Sequence, residues 1–550
     1  MERLKKLLAT INQFRWNTIN SEPAIFLTAI SVGFYRAYHP LFTLWARCVE
    51  LATDPKQEHV VDVEFHSMDA SEICLRLSHS NGSFLDIVEK DIAFTKIWIQ
   101  TVGSISSLIT APIIGSWSDR HGRKYPLLFV LASFFLFNMM HFMATATFES
   151  MNIYIWYFAS EVLIGMTGGV TSLFIMTLAM VTDDCRAKLQ PGTSSVPMRV
   201  GIASFLQSFG AILAMLVFSF LSVGKGYDAY RHQQSYVQSS LIGVIFSAAA
   251  LAYAIFFVRE THFPNKVKGN KSRSIEDFRE KNEGLREEEK SDGFFTLFLR
   301  KSTQYLASLT EVLKVKRPGY TRCCILLSLI FVFFEYLAFD SHLILLYVKR
   351  PPFSWSDRLY SNFHLAESIL TTIGMVLCPF LLSFVDWLGK DNLMIISGLA
   401  ASAVSFFVIA FAHSTAEIFA TVLLYLLVGA ISPAYRSFLP RMVKQDETAR
   451  LLTVLSIIMG FCPSISAFIF NNLFNYSLSF WAGFPFFVAG ILVVLVLIGQ
   501  TTVHFLMRPQ WKLDRLQKVQ KAGSHITLEY RSKAKDSFGD LEKTNRNVSK

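Results

Sequence analysis

GSWSDRHGRK, Gly115 to Lys124, sets one Asp, two Arg, one His and one Lys between two long apolar runs. Gly115 and Gly122 allow close approach and a sharp reversal, so the stretch reads as a turn between two helices. The flanking runs decide the class of protein. Crossing ~30 Å of hydrocarbon takes ~20 mostly apolar residues. Twelve such runs fall at roughly 23–46, 94–117, 126–147, 152–182, 200–222, 238–258, 322–347, 362–386, 392–413, 416–434, 451–473 and 481–504. The 550 residues are 52% hydrophobic, 14% aromatic and 17% charged, well below the quarter-charged average of soluble domains. The chain reads as an all-α membrane protein with twelve transmembrane helices. Its first apolar run has spanning length and follows a basic, mixed arm, so no cleaved signal peptide is expected.

Charge orients the spans, because excess Lys and Arg in short connections marks the cytosolic side. Basic residues gather in the arm (Arg3, Lys5, Lys6, Arg15), in the turn (Arg120, Arg123, Lys124), and in loops holding Arg186 and Lys188 or Arg441, Lys444 and Arg450. They recur in the tail from Arg508. The intervening 47–92 loop is acid-rich, and the 148–151, 414–415 and 474–480 connections hold no Lys or Arg. Both termini are therefore expected in the cytosol. The net charge of +10 reads as topology and attraction to anionic lipid headgroups, not as nucleic-acid binding.

The long charged connection 259–318 divides the spans six and six and cannot bury enough apolar surface to fold alone. The expected organisation is a cytosolic arm (1–22), a first six-helix unit (23–258) carrying the exterior 47–92 loop, a linker (259–318), a second unit (319–505) and a cytosolic tail (506–550). Asn81-Gly82-Ser83 is a glycosylation sequon on the exterior side, as is Asn475-Tyr476-Ser477 in a tight connection. The seven Cys form no metal-like cluster, and no metal or cofactor is expected. Cys48 and Cys74 share the exterior side and are candidates to pair; a non-reducing gel shift lost in Cys74→Ser tests this.

The turn recurs. Asp386, Gly389 and Lys390 repeat the Asp-x-x-Gly-basic core of Asp119, Gly122 and Arg123, with Leu382 in place of Gly115. A positive-inside anchor explains the basic residues but not Asp119. A carboxylate fixed among Arg side chains reads as one member of charge pairs that form in one conformation and break in another, ~1 kcal/mol or less each where exposed.

G-x-x-x-D-R-x-G-R-K resembles the signature between spans two and three of the major facilitator superfamily. That resemblance implies two six-helix bundles, a cavity between them at mid-membrane, and rocking between inward- and outward-open states. Gly115, Asp119, Arg120, Gly122 and Arg123, with Asp386, Gly389 and Lys390, would then form a gating latch on the cytosolic face. Glu22-Pro23, Arg-Glu-Thr at 259–261, LLYVKRPPFSWSDRLY (345–360), SPAYRSFLPRMV (432–443), FIFNNLF (468–474) and WAGFPFFVAGILVVLVLIG (481–499) narrow it. Together these are similar to the SLC46 family, which includes the proton-coupled folate transporter and its lysosomal and thymic relatives. The family implies transport of small organic anions, folates in one member and peptidoglycan fragments or other conjugates in others, often driven by protons. Arg436 matches a family Arg at the cytosolic end of span ten. The folate member's Glu in span five has no acidic counterpart here (Ser204 or Leu206), its span-seven His falls at Leu337, and its Cys between spans seven and eight falls at Ser354. These departures count against folate specificity and against proton coupling through those positions.

Ionisable groups at membrane depth cost several kcal/mol unless they face a cavity or a partner. At 1.5 Å per residue Arg36 lies ~21 Å along the first span. It is either a fork for a substrate carboxylate or phosphate or half of a structural ion pair. His39-Pro40 follows, where Pro removes a backbone hydrogen bond and lets the helix bend. Glu161, ~14 Å into span four, and Glu335, ~20 Å into span seven, are candidate proton carriers, since burial favours the protonated carboxyl. Asp340 is a further candidate, although with His342 it lies nearer the exterior end, where a solvated cap is the alternative. His364 and Glu367 share one helix face and complete the proton-coupling candidates. Glycines 165, 168 and 169 read as helix packing through small residues.

No HExxH, GxSxG, GxGxxG or P-loop occurs, so enzyme chemistry is not expected. The reading is a secondary active transporter of a small organic anion, with protons as partner and lipid as surroundings, in the plasma or lysosomal membrane. A drug/proton antiporter and a non-transporting receptor or scaffold are the alternatives.

Overall fold

The computed structural model describes residues 20–53, 70, 71, 74, 83–188, 196–224, 229–261, 313–315, 317, 319–339, 343–383, 389–443 and 447–513. Asn81, Asp340 and Asp386 lie outside the described residues, as do the side chains of Asp119 and Arg120. The first half holds α1 (Glu22–Ala52), α2 (Ser83–His121), α3 (Lys124–Thr147), α4 (Ile153–Gly165), α5 (Gly169–Lys188), α6 (Val196–Leu221) and α7 (Ala229–Phe256). The second holds α8 (Thr321–Phe339), α9 (Ile344–Lys349), α10 (Asp357–Ser383), α11 (Lys390–Phe411), α12 (Thr415–Thr421), α13 (Tyr425–Val428), α14 (Ile431–Phe438) and α15 (Thr448–Ser477). It ends with α16 (Phe484–Leu513). Among the described residues there is no strand.

Among the described residues ten helical runs are long and apolar enough to cross a membrane, with Thr415–Met442 (α12 to α14 and their 3-10 links) counting as one. Two further stretches are candidate passages, consistent with the expected twelve. One is α1, 31 residues long, whose Arg36 and His39 lower its hydropathy. The other is the α4–α5 pair, each piece too short alone to span ~30 Å.

Span four is therefore not the continuous helix expected from its composition. Gly168 and Gly169 both have positive φ, 84° and 76°, a backbone that interrupts the helix and that side chains other than glycine's rarely allow. Gly165 does serve packing: a Cβ there would press on Ser106 of α2, and the Gly165 carbonyl accepts from Thr110 Oγ1 at 2.6 Å. The 47–92 loop is shorter than expected, because α1 runs to Ala52 and α2 begins at Ser83. Its acidic ends are paired on those helices: Arg47 bonds Asp91 at 2.8 Å and also bonds Glu50. Cys48 and Cys74 are joined as a disulfide, Cα–Cα 5.8 Å.

Pro23 stands second in α1, within its first turn, where its missing N–H costs no helical bond. Within the first half α1 packs on α6 and α7, and a Cβ at Gly33 would collide with Ala211 and Ala214. In the second half Gly374 and Gly429 bring the backbones of α10 and α13 together, each occupying space that a Cβ would take from Leu426 or Thr371. The halves meet along two seams, α2 against α15 and α6 against α10. Ser104 bonds Ser464 across the first. Ser219 bonds Asn362 across the second.

Candidate functional site

The turn that opened the sequence is held from two sides. Gly122 has φ 100°, and a Cβ there would run into the Glu260 carboxylate. That carboxylate accepts the backbone N–H groups of Arg123 and Lys124, both at 2.9 Å. Glu260, in the Arg-Glu-Thr stretch after α7, thus caps the positive end of α3. Arg123 is ion-paired with Asp183 near the end of α5. Gly115 plays no comparable part, since a Cβ there would meet open space and α2 runs on through it to His121.

The second half builds the same clamp with its charges exchanged. Gly389 precedes α11, and Lys390 Nζ bonds the Leu382 carbonyl at 2.9 Å. Asp391 on the turn pairs at 2.6 Å with Arg441 at the end of span ten. In the first half the base sits on the turn and the acid at the end of span four; here the acid sits on the turn and the base at the end of span ten.

The deep groups form one set in each half. Arg36 is exposed on α1, and its neighbour Tyr35 lies within electrostatic reach of both Arg36 and Glu161. Glu161 reaches from α4 to α2, where its carboxylate fills the space a Cβ of Gly103 would take. In the second half Arg436 is exposed on α14, and Tyr336 lies within reach of both Arg436 and Glu335. Glu335 is 1% exposed. Its carboxyl group and the buried Tyr435 hydroxyl lie within hydrogen-bonding reach of each other. His364 Nδ1 lies 2.9 Å from Glu367 Oε2, one turn apart on α10.

A cleft of about 740 Å³, open mouth included, adjoins the first set. Tyr35, His39, Lys96, His141, Tyr157 and Glu161 line it, with Leu343, Leu345 and Leu346 contributed by the second half. Lys96 and His141 carried no signal in the sequence reading, each being one polar residue inside an apolar run. His39 was noted there only for the bend at Pro40.

The largest omission lies at the end of the molecule that bears the disulfide. Arg350 forks onto Asp86 and Glu89 of α2, the latter at 2.7 Å, and Glu89 is 0% exposed. Asp357, buried at the start of α10, holds Lys349 at 2.5 Å, His232 at 3.1 Å and the Tyr236 hydroxyl. Arg358 bonds the carbonyls of Ser222 and Val223, each at 3.2 Å. The stretch Lys349 to Arg358 is thus a clasp from the second half onto α2, α6 and α7 of the first. Its partners stand more than a hundred residues away, so sequence spacing held no trace of it.

Apolar helical spans in two half-molecules, with clamped turns that repeat between them, fit a protein of the major facilitator type. The chain belongs to the Major Facilitator Superfamily, whose family model matches residues 85–467. Its curated relatives are members of SLC46. It is 25% identical to the proton-coupled folate transporter of Bos taurus over 441 residues, 77% of this chain and 83% of that one. It is 23% identical to the human lysosomal proton-coupled steroid conjugate and bile acid symporter SLC46A3 over 499 residues, 88% of this chain and 93% of that one. Among solved structures it resembles a POT family transporter in complex with 5-aminolevulinic acid (TM-score 0.54, 11% identity, 90% of this chain and 99% of that one). It also resembles the inward-open xylose transporter XylE from E. coli (TM-score 0.52, 15% identity, 87% and 94%).

Proposed function

We propose that this chain is a symporter that carries a small organic anion together with protons by alternating access, rather than an enzyme or a scaffold. The observation that carries the reading is the repeated set of one arginine, one tyrosine and one carboxyl: Arg36, Tyr35 and Glu161 in the first half, Arg436, Tyr336 and Glu335 in the second. An anion bridging the halves gains charge-assisted bonds from both guanidinium forks. Glu161 in the cleft wall and the buried Glu335 are the carboxyl groups this reading assigns to carrying protons as the cavity changes sides, with His364 and Glu367 as further candidates. The names of the relatives, a folate transporter and a steroid conjugate and bile acid symporter, support an anionic cargo of that size.

The basic loops favour a cytosolic turn end and cytosolic termini, which puts the disulfide end and the Asn81 sequon outside or in the lumen. From the shut clasp at Arg350 and Asp357 we infer an inward-facing state. Gly122, Arg123, Gly389 and Lys390, together with Asp119, Arg120 and Asp386, then belong to the latch that closes the opposite state. The compartment is the plasma membrane or the lysosome.

The test is uptake of a labelled folate, a muropeptide and a steroid sulfate at about pH 5.5 and about pH 7.4, a range across which carboxyl and imidazole groups titrate. Cells with the protein at their surface should take up at least one compound faster at acid pH, and Arg36→Ala should abolish it. No acid-stimulated uptake of any of the three, with surface expression established, contradicts the reading.

A further inference from the structure

We propose that His39, backed by His141, is the proton-binding group to which anion binding at Arg36 is thermodynamically linked. The inference rests on the symport reading above and assigns its coupling site. The two imidazoles come from different helices, α1 and α3, and their ring centroids are 5.1 Å apart. Tyr35 and Tyr157 close the cage, each 4.7 Å from the His39 ring. His141 is 2% exposed while His39, half-buried, faces the cleft.

The hydrogen bonds assign the roles within the pair. Ser160 gives its hydroxyl hydrogen to the Tyr157 carbonyl at 2.9 Å and so accepts from His141 Nε2 at 3.0 Å. That places the hydrogen of His141 on Nε2 and leaves Nδ1 as the acceptor. Two imidazolium ions this close cannot coexist in a low-dielectric interior, so the pair holds at most one proton. His39, open to the cleft, receives it from water as H⁺ on a ring-nitrogen lone pair and returns it to water after the carrier turns over.

The link to the anion is one turn of helix. Arg36 and His39 stand at i and i+3, neighbours on a helix surface. With the site empty, a proton on His39 faces the like charge of Arg36 and is disfavoured. An anion on Arg36 cancels that repulsion, and a protonated His39 in turn adds a second positive charge to the anion site. The two affinities rise by the same factor, as linkage requires, and the empty carrier resists leaking protons. The other ionisable groups around the pair are Tyr35 and Tyr38 on α1, Lys96 on α2, and Tyr154, Tyr157 and Glu161 on α4. α6 carries no ionisable side chain beyond Arg199, and α15 contributes the amide of Asn471. On α7, His232 and Tyr236 are engaged nearer the disulfide end with Asp357 and Trp45.

The experiment measures the affinity of the purified full chain for estrone sulfate and folic acid across the same acid-to-neutral range, in wild type, His39→Gln and His413→Gln. Wild type should bind the transported anion more tightly at acid pH, by a factor in the roughly 5- to 150-fold range of coupled sites. His39→Gln should bind with one affinity at every pH and still exchange labelled for unlabelled anion across proteoliposomes without a pH gradient. His413→Gln, at an exposed histidine outside the cleft, should keep the wild-type pH dependence. Should His39→Gln not reach the membrane, His39→Asn, which likewise takes no proton in this range, serves the same comparison. Acid-dependent affinity that persists in His39→Gln, or that disappears in His413→Gln, overturns this inference and leaves the symport reading standing. No acid-dependent transport by wild type overturns both.

Discussion

The two ends of the molecule are stabilised in different ways. At the disulfide end, charged side chains cross from one half to the other: Arg350 to Asp86 and Glu89, and Asp357 to His232 and Tyr236. At the turn end, the ion pairs described here stay inside a half: Arg123 with Asp183, Asp391 with Arg441, Arg317 with Glu447. The first arrangement locks the halves together, and the second braces each half on its own. A molecule whose halves rock needs both, because a lever must be stiff on the side that opens. The exchanged polarity of the two clamps adds a further lesson. What recurs between the halves is an ion pair fixing a turn to the end of a neighbouring span, and either sign satisfies the electrostatics.

The largest break in this comparison comes from Arg350→Ala. It strands the buried Glu89, and an uncompensated buried charge costs about 3–5 kcal/mol. The thermal midpoint in detergent should fall, and cysteines placed at Ser219 and Asn362 should crosslink less because the clasp has opened. Arg350→Lys keeps the charge but loses the two-pronged fork, so it should fall between the two. Next in size is Cys48→Ser, which frees a loop closed over a sequence separation of 26 and should cost about 3 kcal/mol, read as a lower melting point and a lost non-reducing gel shift. Gly429→Ala, which forces α13 off α10, should cost about 1–3 kcal/mol as an overpacked contact. Smallest is the clamp itself. Asp391→Arg or Arg441→Asp alone should cost about 1–2 kcal/mol, because Asp391 is buried although Arg441 is exposed, with the double variant recovering part of the loss in a mutant cycle. A collapse in either single variant would show the turn end to be as demanding as the clasp.

Much of the architecture could be read from the chain because membrane spans announce themselves by length and composition, and the turn by glycine and charge. Gly122 and Arg123 stand where that reading required a tight reversal and a pairing charge. His364 and Glu367 share a face because i and i+3 positions must. What stayed hidden was tertiary. The break in span four depends on positive φ at two glycines that composition alone cannot distinguish from packing glycines. Arg350 and Asp357 looked like loop charges until partners from α2 and α7 met them. His141 looked like one polar residue in an apolar helix, and only the fold sets it against His39.

The measurement that addresses the central claim most directly uses proteoliposomes holding a pH-sensitive dye and no imposed pH gradient. Addition outside of the anion the protein transports should acidify the lumen as protons enter with it, and Arg36→Ala should abolish the signal. Anion entry with no change in lumenal pH would contradict proton-coupled symport, and lumenal alkalinisation would establish exchange against protons in its place.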